Sequence, residues 1–98
     1  MRLTTAEIDC ITTTIHAFDT NAKVYLFGSR VNDNARGGDI DLLVLSAFIT
    51  LADQLKIKVK LYDLIGEQKI DLIVRKDGDS VFAKHAIKTG ILLCPNQN

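Results

Sequence analysis

The chain has no surplus charge of either sign. Its 12 Lys and Arg are balanced by 12 Asp and Glu, and the pI is near 6.7. A dedicated nucleic-acid-binding module would be basic, so direct nucleic-acid binding is not expected. No apolar run approaches the roughly 18 residues that suggest a membrane span, so no membrane association is expected. The opening Met1-Arg2-Leu3-Thr4-Thr5 lacks the apolar core of a signal peptide, which leaves a cytoplasmic location as the expectation. Cysteine is scarce: Cys10 and Cys94 lie 84 positions apart, with no CxxC or Cys/His ligand spacing. A structural zinc site is therefore not expected, and both residues read as free thiols in a reducing compartment. There is no Walker-type GK[ST], no GxGxxG, no repeat and no low-complexity linker. The single proline, Pro95, is followed only by Asn96-Gln97-Asn98, which reads as a frayed tail over 95–98.

What is present fits one packed unit. Ninety-eight residues leave room for a single domain, placed at 1–94. An apolar fraction of 47% with 24% charged residues excludes intrinsic disorder. Ile8, Ile11, Ile15 and Phe18 recur at helical spacing, and Thr4-Thr5-Ala6-Glu7 fits a capping box, so a helix is expected over about 5–19. Lys23-Val24-Tyr25-Leu26-Phe27 is a short strand that stops at Gly28. The Asn, Asp and Gly content of 28–38 reads as loop. Asp39 to Leu45 is a second strand, apolar on both faces after its start, and so central. Lys69 to Arg75 is a third strand. Val81-Phe82-Ala83 with Ala86-Ile87 forms a last helix, capped by Asp79 or Ser80 and ended by Gly90.

Residues 50–66 are ambiguous by pattern. Leu55-Lys56-Ile57-Lys58-Val59-Lys60-Leu61 alternates like a strand, whereas Leu51, Leu55, Val59, Tyr62 and Ile65 form a helical stripe between a capping Thr50 and a terminating Gly66. The three lysines read as a solvated face, with an acidic docking partner as the other reading. His16 and His85, on separate helices, read as surface or capping residues, and Tyr25 and Tyr62 as core or rim.

The chemistry lies in Leu26-Phe27-Gly28-Ser29-Arg30 and, after a gap of nine residues counted from Arg30, Asp39-Ile40-Asp41. Asp39 and Asp41 are two apart on a strand, so both carboxylates face one side, with Cβ atoms roughly 6–7 Å apart. At an effective dielectric near 20, two like charges at about 6 Å repel by roughly 3 kcal/mol. Such a pair beside an apolar strand calls for a compensating cation, and carboxylate oxygens suit magnesium. Gly28 permits close approach of the backbone to a ligand. Ser29 offers a hydroxyl and a following N–H to phosphate, and Arg30 and Arg36 can face anionic charge. Gly-Ser alone is a turn, and Asp-x-Asp alone is often a solvated strand end. Joined between two apolar strands, they describe a nucleoside triphosphate held with magnesium.

Phe27-Gly28-Ser29-Arg30 followed by Gly38-Asp39-Ile40-Asp41-Leu42-Leu43-Val44 resembles the minimal nucleotidyltransferases (MNT) of the polymerase-β-like superfamily, and among them the MNT antitoxins paired with HEPN toxins. Lys69-Ile70-Asp71-Leu72-Ile73-Val74 is similar to that family's third-carboxylate strand, and Ala86 to Leu93 to its last helix and exit. The resemblance implies an α+β fold, α-β-β-α-β-α, with a small mixed sheet and helices packed against it. It implies Asp39, Asp41 and Asp71 as catalytic, metal-holding residues, with two magnesium ions. It implies Gly28, Ser29 and Arg30 at the nucleotide, and ATP as the AMP donor. The acceptor would be a hydroxyl, such as a tyrosine, of a HEPN-type helical toxin, within a hetero-oligomer. Bringing Asp71 to the other two carboxylates requires parallel strands, and parallel strands need a crossover, usually a helix. Residues 50–66 are therefore expected to be helical.

Two other functions stay open at this point. An antitoxin that neutralises by occlusion, with a silent acidic site, is favoured by a Gly-Ser to Asp-x-Asp gap one residue shorter than the family pattern. A transferase for small molecules is disfavoured, because no acceptor-gripping domain fits in this length. A high apolar fraction on so small a chain also suggests an exposed patch that a partner covers.

Overall fold

Two capping boxes start the two longer helices. Thr4 accepts from the Glu7 N–H while Glu7 accepts from the Thr4 N–H. Thr50 and Asp53 repeat the same exchange. The computed structural model describes residues 3–28, 39–66 and 69–93. Its elements run α1 (Thr5–His16), β1 (Lys23–Phe27), β2 (Ile40–Leu45), α2 (Leu51–Ile65), β3 (Ile70–Arg75), α3 (Val81–Thr89) and β4 (Ile91–Leu93). Ser80 caps α3, and Gly66 and Gly90 end α2 and α3. No helix among the described residues is long and apolar enough to cross a membrane.

The four strands form one mixed sheet in the order β3-β2-β1-β4. β2 and β3 are parallel, with Ile40 opposite Ile70 and Asp41 opposite Asp71. β1 is antiparallel to β2, with Phe27 opposite Asp41, and antiparallel to β4. The parallel pair is joined through α2, as the crossover argument requires.

Alternation along the strands sorts side chains onto two faces. Val24, Leu26, Ile40, Leu42, Val44 and Ile70 meet Ile11 and Ile15 of α1 and Ile57 and Leu61 of α2 in the larger core. On the other face Leu43, Tyr25, Phe27 and Ile73 pack against Ala83, Ala86 and Ile87 of α3. β2 is thus covered on both sides, as its apolar run implies.

The structure departs from the sequence expectations at three places. First, α1 ends at His16, not near 19. There the Asp19 carboxylate accepts from the Asn21 N–H and the Ser46 hydroxyl, which draws the chain into a turn. His16 meets the Ala22 carbonyl oxygen across that turn, 2.9 Å from Nε2. Second, a fourth strand follows α3. Gly90 sits so close that a Cβ would lie 2.5 Å from the carbonyl oxygens of both Ala86 and Leu26. The chain therefore turns straight from helix to sheet edge. Third, the core-facing side of α2 is Ile57 and Leu61 with half-buried Ile65; of the expected stripe Leu51, Leu55, Val59, Tyr62 and Ile65, only Ile65 packs on the core. Helix α2 has two apolar arcs, and the turn before it selects one. Ser46 Oγ accepts from the N–H groups of Phe48 and Ile49. This turn buries Ile49 and leaves Phe48 exposed, which sets the rotation of the helix that follows.

This rotation is testable. Ile57→Ala should cost about 2–5 kcal/mol in urea unfolding, as a large-to-small change in a closed core. Leu55→Ala should change stability by less than about 0.5 kcal/mol, as an exposed position does. Equal losses at the two sites would contradict the rotation.

Candidate functional site

The site forms because two strands carry the same local text in register. Ile40-Asp41-Leu42 lies beside Ile70-Asp71-Leu72. In each strand the isoleucine and leucine point into the larger core, so the aspartate between them points to the α3 face. Asp39, two residues before Asp41, adds a third carboxylate at the same end. Asp39, Asp41 and Asp71 are each half-buried, and each offers an oxygen within 4.8 Å of those of the others. The three residues singled out in sequence therefore converge.

Among the described residues, little positive charge offsets them. Lys69 Nζ lies 3.5 Å from Asp39 Oδ2, with 70% of the lysine side chain exposed. An exposed pair of this kind contributes little. The Asp41 carboxyl is held above its ordinary range, chiefly by burial, then by a hydrogen bond shared with Asp71 and by the charges of Asp71 and Asp39. The Lys69 ammonium acts in the opposite direction but does not reverse the shift. A half-buried cluster of three carboxylates suits a hard divalent cation.

Gly28 closes the other side of the cluster. Its φ is +78°, and a Cβ there would run into Asp41 Oδ2. The sequence reading gave Gly28 the task of letting the backbone approach a ligand. The structure shows that it also leaves room for the Asp41 carboxylate. Gly28→Ala meets both a left-handed backbone and a steric conflict, so Asp41 must shift. This variant should lose magnesium binding by at least about tenfold and lose about 1 kcal/mol or more of stability. Calorimetric titration and urea unfolding read the two effects; unchanged metal affinity would show that Asp41 has other freedom.

Ser29, Arg30 and Arg36, expected at the phosphates, lie outside the described residues, as does Cys94. Cys10 is a half-buried free thiol on α1. Lys69 was not singled out in sequence. Its signal was the alignment of Lys69-Ile70-Asp71 with Asp39-Ile40-Asp41, which places it opposite Asp39. In sequence Phe27 is simply the last residue of a strand. It lies edge-on to Phe82 of α3, with ring centroids 5.5 Å apart, and so ties that helix to the strand end beside Asp41.

Comparison with known families gives a direct match: the polymerase β nucleotidyltransferase model covers residues 11–98. The chain belongs to the polymerase β nucleotidyltransferase family. Among solved structures, this nucleotidyltransferase domain is similar to a chain of the toxin–antitoxin MntA–HpeT crystal structure, a mutant with two aspartates changed to glutamate. The TM-score is 0.71 at 21% identity, over 92% of this chain and 74% of that one. The likeness is one of fold, and it agrees with the mixed sheet and its helices. A comparison with curated proteins finds no match.

Proposed function

We propose that this nucleotidyltransferase domain transfers AMP from ATP to a protein hydroxyl, such as a tyrosine of a HEPN-type helical toxin, and acts as its antitoxin. The observation that carries the reading is the convergence of Asp39, Asp41 and Asp71 at one end of the sheet. Family membership supports nucleotide transfer, and the structural likeness to a toxin–antitoxin chain supports the partner.

In this reading Asp39, Asp41 and Asp71 would hold magnesium, and Gly28, Ser29 and Arg30 would border the triphosphate. Bound magnesium supplies positive charge for the phosphate oxygens as charge builds up on them. Asp71, opposite Asp41 in the parallel register, accepts the proton of the acceptor hydroxyl. The hydroxyl oxygen forms a bond to the α-phosphorus in line with the departing group. The bond from that phosphorus to the bridging oxygen breaks, and pyrophosphate leaves with its electron pair. Charge and position account for the catalysis, as in other phosphoryl-type transfers.

The test is the intact mass of a candidate helical partner after incubation with ATP, magnesium and a trace of this protein. A gain of one or more AMP units supports transfer. A second reading, neutralisation by occlusion, is favoured by the exposed apolar residues on α2. It predicts an unchanged partner mass and protection only at equimolar ratio.

A further inference from the structure

The arc of α2 that does not face the core remains uncovered. Leu51, Leu55 and Val59 are 79%, 68% and 61% exposed, and Phe48 just before the helix is 73% exposed. With Tyr62, positions 51, 55 and 59 fall within roughly 80° of arc at 3.6 residues per turn, so they form one stripe over three turns. Lys60 and Leu64 line a groove with Thr13 and Thr14 of α1, so α1 holds one flank of α2. The stripe occupies the flank turned away from α1, on the side of β3. β3 is the end strand of the sheet, and no strand among the described residues pairs with its outer edge. A long apolar stripe beside an open strand edge is a contact surface.

Charge indicates what covers it. Lys58 borders the stripe on one side, and Lys56 and Lys60 lie beyond it on the other. Among the described residues none of these lysines has a salt-bridge partner. Of the two acids on α2, Asp53 accepts the Thr50 N–H in the capping box, at 3.0 Å. That leaves Asp63 against three lysines. A second copy docked stripe to stripe would set lysines against lysines. A helix with acidic flanks would pair with them. A shallow groove of about 390 Å³, lined by Leu55, Val59, Lys56, Lys60 and Asp63, can receive an apolar side chain from it.

We propose that the α2 stripe and the adjoining outer edge of β3 are the seat for an amphipathic helix of a protein partner, its apolar face flanked by Asp and Glu. A partner seated there lies against the strand that carries Asp71. The inference rests on the proposed function only in identifying that partner with the acceptor; docking itself needs neither ATP nor metal.

The probes are two synthetic helical peptides with one apolar face, flanked by Glu in the first and by Lys in the second. Each is titrated by fluorescence anisotropy against the full chain. The Glu-flanked peptide should bind at least about tenfold more tightly, with the difference shrinking as salt is raised. Leu55→Ser/Val59→Ser should weaken it by at least about tenfold. Lys56→Glu/Lys58→Glu should reverse the preference, and carries the test if the serine variant fails to fold. Asp39→Asn/Asp41→Asn should leave peptide binding unchanged, so loss of transfer and loss of docking are read separately. Three results would overturn the proposal: no binding or no discrimination between the peptides; a dimer in sedimentation that the stripe variant dissociates; or capture by phosphatidylcholine–phosphatidylserine vesicles that the same variant abolishes.

Discussion

Replacing both Asp39 and Asp41 by alanine is expected to lower AMP transfer by a factor on the order of 10³ or more while the chain still folds. Charge stabilisation by a metal site is worth several kcal/mol in a transition state, and each 1.36 kcal/mol is about tenfold in rate. The fold should survive because the side chains lost are half-buried carboxylates that repel one another, not core. The check is the partner's intact mass at trace and at equimolar protein, alongside the variant's urea unfolding. Mass gain with the wild type, absent with a folded variant, supports the enzyme. If the partner's mass never changes and the variant still neutralises it at equimolar ratio, the transferase reading is wrong and the chain works by occlusion.

Magnesium and ATP together should raise the melting temperature on the order of 10–20 °C. A ligand at 100 times its dissociation constant adds about 2.7 kcal/mol, and about 1 kcal/mol moves a domain of this size by roughly 4–8 °C. Either ligand alone should give a smaller shift. Asp41→Asn should abolish the joint effect while leaving the ligand-free chain at least as stable, because it removes a repelling charge. The pH dependence has a definite sign. The folded chain holds the Asp41 proton more tightly than the unfolded chain, whose value is near 3.8. Stability from this group is therefore full below that value and is lost as pH rises through the raised one. Magnesium, which favours the ionised form, should offset that loss, and Asp41→Asn should remove this part of the slope. Melting curves across pH, with and without magnesium, would test both statements. No shift at millimolar ligand would count against a nucleotide site.

The Asp39–Asp41 pair is legible in the sequence because its parts are local. Asp39 and Asp41 share a face by strand alternation alone. Asp71 joins them through the resemblance of its strand to the family's third-carboxylate strand, which requires β2 and β3 to run parallel. The caps at Thr4, Thr50 and Ser80 were legible for the same reason, since each is an exchange within three residues. Even the helical state of 50–66, hidden by alternating lysines, followed from the need for a crossover between parallel strands.

Other features depended on partners distant in sequence. Nothing in Gly90-Ile91-Leu92-Leu93 marks a strand; β4 exists because β1 offers it an open edge. The close fit of Gly28 to Asp41 joins residues from neighbouring strands, and only the Phe27–Asp41 register brings them together. The rotation of α2 is the clearest case. Its sequence supplies two apolar arcs of similar quality, and either could face a core. The choice was made by the turn at Ser46, which buries Ile49, and by the sheet and α1 against which Ile57 and Leu61 close. The sequence by itself determined that Asp39 and Asp41 share a face and where the helices begin, because alternation and capping act over a few residues. Only the tertiary structure decided which apolar face of α2 stays exposed, because burial depends on the whole packed chain.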